Sequence, residues 1–184
     1  MMYRLFVLIS ILLVTAVTSH AQVLIVSGEA GRNCYRAVKF NPSPGTRHER
    51  ICTDAIESGA LNRASQAGSL INRGIIRMRM GDFGPALEDY ARAERLTPHS
   101  GALHLNKGAA LIGIGDYDAA LVSLNRALEL RTQEPYAAHY NIGLAHEYLG
   151  QAAPAYESYQ TALELKPDWS LPTLALERFT VERE

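Results

Sequence analysis

The sequence predicts an all-α chain, an α-solenoid of stacked antiparallel helical hairpins, on three observations. Asn72, Asn106 and Asn141 each stand two residues before a glycine, at Gly74, Gly108 and Gly143, at intervals of 34 and 35 residues. A fixed period of this length marks a repeat architecture. Small residues and glycine turns then recur in the same register inside each copy.

The units span residues 67–100, 101–135 and 136–169. Written in register they contain "INRGIIRMRMGDFGPALEDYARAERLTP", "LNKGAALIGIGDYDAALVSLNRALELRT" and "YNIGLAHEYLGQAAPAYESYQTALELKP". Gly74, Ala86 and Ala93 have counterparts in Gly108, Ala120 and Ala127 and in Gly143, Ala155 and Ala162. Two antiparallel helices approach closely only where side chains are small, so these triplets mark hairpin crossings. Leu87, Tyr90 and Leu96, then Leu121, Leu124, Leu128 and Leu130, then Tyr159, Leu163 and Leu165 follow the spacing that buries one helical face. They are expected to fill the space between hairpins. Gly81, Gly115 and Gly150 fall where each first helix must end in a left-handed residue. Asp82 and Asp116 follow as caps of the second helix, and Pro85 and Pro154 sit in its first turn, where a missing N–H costs nothing. Pro98 and Pro167 close two units, and Thr132 replaces that proline in the other.

This set of positions resembles the tetratricopeptide repeat family, a helix-turn-helix unit of about 34 residues. The resemblance covers residues 67–169. It departs from the family at the early aromatic, replaced by Leu70, His104 and His139, and at the mid-helix tyrosine, replaced by Arg77, Leu111 and His146. A solenoid needs terminal elements with one polar face. Residues 170–184 are expected to supply a C-terminal capping helix, itself capped by Ser170, with Leu171, Leu174 and Phe179 over the last hairpin. Upstream, "EAGRNCYRAVKF" and "RHERICTDAIESG" read as a degenerate hairpin joined by "NPSPG" within an N-terminal segment of residues 22–66; residues 22–29 receive no element. The stretch around "CTDAIESG" is similar to what precedes the first full unit in short exported repeat proteins of bacterial envelopes.

Export is also the reading of the N-terminus. Arg4 precedes the apolar run "LFVLISILLVTAV" and then "TSHA", so residues 1–21 form an expected signal peptide with cleavage after Ala21. The run is shorter than the roughly 20 residues needed to span a bilayer as a helix, and the expected product is an exported protein, periplasmic or secreted, with no stable membrane insertion. Retention as an anchor is the alternative. Cys34 and Cys52 are the two cysteines; in an oxidising compartment they are expected to form a disulfide, the alternative being two buried thiols. With 18 Lys+Arg against 19 Asp+Glu, interspersed, nothing resembles the basic stripe that nucleic acid requires.

Candidate chemistry is sparse. Asp116 and Asp118 fail as a calcium loop, because Leu121 stands where glycine is needed and Ala127 where a glutamate should close the site. "HEYLG" at His146 places Gly150 where a zinc-protease helix needs its second histidine. His104, His139 and His146 lack an obvious third partner, so neither a metal nor any other cofactor is expected. No nucleophile elbow or phosphate loop occurs, and the expectation is no enzyme and no catalytic residue.

Stacked hairpins superpose their first helices on the concave side, so equivalent residues form ladders. The family resemblance implies that Asn72, Asn106 and Asn141 bind the backbone of an extended peptide, and an amide side chain, donor and acceptor at once, suits that role. Flanking places are Ile71, Leu105 and Tyr140, then Ile75, Ala109 and Leu144, then Met78, Ile112 and Glu147. None is cationic, which removes the family's carboxylate-clamp arrangement; Arg73, Lys107 and Arg77 lie on neighbouring helical angles. The expected site is therefore Asn72, Asn106 and Asn141 with Ile71, Leu105, Tyr140, Ile75 and Leu144, and the expected function is non-enzymatic binding of a partner's peptide segment or helix. The alternative is a structural subunit of an envelope complex that self-associates through the apolar face.

Overall fold

A computed structural model describes residues 3–7, 22–24 and 26–183; the expected leader therefore lies outside the described residues except for Tyr3–Val7. The described chain runs β1 (Tyr3–Val7), α1 (Glu29–Lys39), α2 (Thr46–Glu57), α3 (Arg63–Met80), α4 (Phe83–Leu96), α5 (Gly101–Gly113), α6 (Tyr117–Glu129), α7 (Pro135–Tyr148), α8 (Ala152–Leu165), α9 (Ser170–Leu176) and β2 (Phe179–Arg183). Helices pair as α1/α2, α3/α4, α5/α6 and α7/α8, and each pair stacks on the next. No described helix is long and apolar enough to cross a membrane.

The crossings fall on the small residues. Ala86, Ala93, Ala120, Ala127, Ala155 and Ala162 are wholly buried. A methyl group added at Gly108 would lie 2.5 Å from Leu124 Cγ, and one at Gly143 would lie 2.6 Å from Tyr159 Cε1; at Gly74 it would collide with the Tyr90 ring. Each glycine thus lets the bulky residue of the facing helix lie against its backbone. Gly81 ends α3 in a left-handed conformation (φ 88°), its N–H returning to the carbonyls of Arg77 and Met78. Asp116 caps α6, accepting from the N–H of Ala119 at 3.2 Å, whereas Asp82 holds the same place before α4 without a side-chain bond.

Cys34 of α1 and Cys52 of α2 are joined by a disulfide, with both residues inaccessible to solvent. Closing so short a loop stabilises the fold by about 3 kcal/mol.

Two expectations at the C-terminal end are corrected. The capping helix does not extend over residues 170–184: α9 stops at Leu176, and residues 179–183 form β2, paired antiparallel with β1 from Tyr3↔Arg183 to Val7↔Phe179. Thr180 and Val181 are β-branched and favour extended backbone, and pairing satisfies the main-chain groups that a frayed helix end would leave open. Trp169, not Ser170, is the residue that precedes α9 as its cap. Leu165 is also not between hairpins but half exposed, because the short α9 that packs on α8 leaves it uncovered.

Candidate functional site

Asn72 of α3, Asn106 of α5 and Asn141 of α7 occupy equivalent places in the first helices of the three repeats, and none is exposed at all. Residues 22–24 reach two of them. Asn72 Oδ1 accepts from the Leu24 N–H at 3.0 Å, and its Nδ2 donates to the Leu24 carbonyl at 2.8 Å. Asn106 repeats the pattern on Gln22, with the N–H at 3.0 Å and the carbonyl at 3.1 Å. Alternate residues of an extended strand present both main-chain groups on the same side. One step of two residues along the segment therefore matches one step of one repeat along the solenoid. The segment runs from the second repeat toward the first, against the order of the stack.

Side chains fix the same segment. The Gln22 carbonyl Oε1 accepts from Thr132 Oγ1 at 3.0 Å, while its Nε2 donates to Gln133 Oε1 at 3.1 Å. Val26 is buried, and a methyl group added at Gly68 would lie 3.5 Å from its Cγ1. The hydroxyls of Ser27 and Ser65 lie 2.5 Å apart, and Gly28 (φ 82°) then turns the chain into α1. Leu24 sits at a small cavity of about 170 Å³ that Ile71, Ala67 and Gly68 also line.

Asn141 is different. Among the described residues, neither its buried Oδ1 nor its buried Nδ2 has a hydrogen-bond partner. Leaving a buried amide group unsatisfied costs roughly 1–3 kcal/mol, and such a group asks for an explanation. Next to it in α7, Tyr140 packs its ring 5.0 Å from that of Trp169 and 5.6 Å from that of Tyr159.

The apolar residues expected to flank the groove are placed unevenly. Ile71 borders the Leu24 cavity. Ile75 and Leu105 are wholly buried in the core, and Tyr140 nearly so, leaving Leu144 as the one half-exposed member of that set. The hairpins nest tightly enough that these positions act as packing between repeats instead of lining an open apolar wall.

The neighbouring cations are engaged internally. Arg73 makes a bidentate pair with Asp89 at 2.9 and 2.6 Å and reaches Thr53 Oγ1 at 3.0 Å. Arg77 bridges Glu49 at 2.8 Å and Asp89 at 3.0 Å, and Lys107 binds Glu94 at 2.9 Å. The hydrogen bonds that Arg73 donates to Asp89 raise its pKa above the ordinary value, burial opposing them. This network ties α2, α3 and α4 together and leaves none of the three cations to hold a ligand carboxylate. At the other end Glu147 accepts from the Tyr159 hydroxyl at 2.5 Å and from Arg178 at 2.9 and 2.6 Å, pinning the chain after α9 to α7.

The histidines do not converge. His104 Nε2 lies 3.3 Å from the Pro98 carbonyl, and His146 Nδ1 lies 2.6 Å from Gln151 Oε1. Among the described residues no three His, Cys, Asp or Glu side chains are grouped to hold a metal.

Neither the seating of residues 22–24 nor the Arg73–Asp89 pair is anticipated from the sequence. Signals existed for both: "QVLIVS" is rich in β-branched residues, and Arg73 and Asp89 are charges set within helical faces that are otherwise buried.

Residues 71–135 and 136–168 each match a family model described as tetratricopeptide repeat, together just over half of the chain. The Hsp70-Hsp90 organizing protein of Triticum aestivum is 35% identical over 88 residues, covering 47% of this chain and 15% of its own length. The chain thus spans only a small part of that relative. Among solved structures, the second such domain of the human RPAP3 protein, in complex with an HSP70 peptide, is 25% identical with a TM-score of 0.58, covering 64% of this chain and 97% of that one. MamA is 21% identical with a TM-score of 0.64, covering 82% of each chain.

Proposed function

Because this chain belongs to the tetratricopeptide repeat family, we propose that it is a non-enzymatic binding module whose concave groove takes an extended segment of a partner polypeptide. One observation carries the reading: Asn72 and Asn106 grip the main chain of Leu24 and Gln22 by donor and acceptor alike. The groove thus has the chemistry to hold extended backbone, and residues 22–24 act as a tethered occupant that a partner must displace. A relative's domain in complex with an HSP70 peptide supports this class of ligand. Internal pairing of Arg73, Arg77 and Lys107 favours main-chain recognition over capture of a terminal carboxylate, and the balanced charge speaks against nucleic acid. The leader-like N-terminus and the Cys34–Cys52 bond support a place outside the cytoplasm, in the periplasm or beyond, as in short envelope repeat proteins.

Panning a displayed library of unstructured peptides against the full chain tests the proposal. Selected peptides should lose affinity about tenfold or more on an Asn72→Ala/Asn106→Ala chain whose helical circular dichroism is unchanged. Peptides that bind both chains equally would refute it.

A further inference from the structure

α1 and α2 close the N-terminal end of the stack. α3 packs on one side of this pair, and an open depression of about 540 Å³ lies between the two helices, lined from residues 33–51 alone. Every later hairpin has a helix before it and another after it: α1 and α2 before α3/α4 and α5 after, α4 before α5/α6 and α7 after, α6 before α7/α8 and α9 after. The α1/α2 pair has only its following neighbour among the described helices. Its depression has an apolar floor, with Ala37 buried, Ile51 half-buried and Phe40 67% exposed. Apolar surface rimmed by polar groups marks a contact site.

The rim is positive. Arg36 and Arg47 line it without an ion-pair partner among the described residues, whereas Arg73, Arg77 and Lys107 are all neutralised internally. His48 Nδ1 accepts from the Gly45 N–H at 3.1 Å, which leaves Nε2 as a donor. No carboxylate lines the depression, and Glu49 of the same helical turn is held by Arg77. Arg47 also stands in the first turn of α2, where the helix dipole disfavours a cation unless an anion lies near it. Glu29 and Asp54 lie seven residues from Arg36 and Arg47, two turns or about 10 Å along the same helices. The two helices are antiparallel, so the face is positive at the α1–α2 turn and negative at its far end. It is also rigid: the Cys34–Cys52 bond joins the helices, and Arg79 holds the end of α1 by the carbonyls of Val38 at 2.8 Å and Asn41 at 3.0 Å.

We propose that this end face docks an α-helix of a partner polypeptide, seated as a preceding hairpin would be. The helix presents a stripe of aliphatic or aromatic residues to Ala37, Phe40 and Ile51, carboxylates at the end over Arg36 and Arg47, and a cation two turns away. Charge complementarity chooses its direction, and the fixed face lets it bind without ordering the receptor first. An open depression suits a polypeptide surface better than a small molecule, whose sites enclose most of the ligand. The surface is separate from the asparagine groove and does not depend on it.

A displayed library of two-helix hairpins, one helix face randomised, is selected against the full chain. Binders should carry Asp or Glu at one end of an apolar stripe, and should lose affinity about tenfold or more on Arg36→Glu/Arg47→Glu. Lysine in place of the binder's carboxylates should restore affinity for that variant. Phe40→Ser should weaken binding at least about fivefold by an uncharged route; all three residues are exposed, so helical circular dichroism should stay unchanged. Asn72→Ala/Asn106→Ala should leave affinity within about twofold, which separates failure here from failure of the groove reading. Binders indifferent to Arg36, Arg47 and Phe40, or a library without binders, would overturn the proposal. So would a dimer, in sedimentation of the full chain, that Arg36→Glu/Arg47→Glu abolishes, because the face would then belong to a second copy.

Discussion

Asn72 holds Leu24 by both of that residue's main-chain polar groups, across a sequence separation of 48 residues. Asn106 does the same to Gln22 over a separation of 84. These contacts join the start of the described solenoid to its middle, so they bear on stability as well as on binding.

Asn106→Ala should therefore destabilise the chain, since two hydrogen bonds to the main chain of buried Gln22 are lost; the expected cost is roughly 1–3 kcal/mol. Asn141→Ala removes two unpartnered polar atoms and should be near neutral or slightly stabilising. Thermal unfolding of both variants checks the contrast, and equal losses would show that Asn141 is already satisfied.

Gly108→Ala should cost about 1–3 kcal/mol, because the added methyl group would press on Leu124. Gly84→Ala is the matched control: no atom beyond its chain neighbours lies within 4 Å of its added Cβ, and the gain from a helical alanine is offset by the disfavoured α conformation before Pro85, so a change of less than about 1 kcal/mol is expected. Urea titration should lower the midpoint of the Gly108 variant well below that of the Gly84 variant.

Asp89→Ala leaves the buried Arg73 guanidinium without its bidentate partner and should cost about 3–5 kcal/mol. Replacing the pair together, with Arg73→Met and Asp89→Leu, should recover much of that loss. A double variant no better than the single would mean that Thr53, Glu49 and Arg77 depend on the pair as a unit.

Burial lowers the pKa of His139 below its ordinary 6.5. The unfolded chain then takes up a proton more readily than the folded one, so this residue lowers stability as pH falls through the ordinary histidine range and is without effect above it. His139→Gln should flatten the fall in melting temperature between about pH 7.5 and pH 5; an unchanged slope would place the effect elsewhere.

The repeats were legible because their demands are local and periodic. Gly74, Gly108 and Gly143 announce contacts that only a missing side chain permits, and Gly81 announces a left-handed turn. The cysteine pairing followed from there being two cysteines in a chain read as exported. What escaped was set by tertiary context. Whether residues 22–24 lie in the groove depends on partners 48 and 84 residues away, and no local pattern encodes such a meeting. The strand at residues 179–183 was obscured because its pairing partner is the other end of the chain. Ile75 and Leu105 were read as groove wall because helical spacing gives the face a residue shares, not how deeply a neighbouring hairpin covers it.

Asparagines that touch only the groups common to every amino acid are indifferent to side-chain identity. The two asparagines would hold Leu24 and Gln22 whatever their side chains, whereas the Gln22 amide is held in addition by Thr132 and Gln133. Such contacts register the shape of a thread before its lettering, and any preference for one side chain over another in this segment is left to the few groups that meet it, Thr132 and Gln133 at Gln22 and Ile71 beside Leu24.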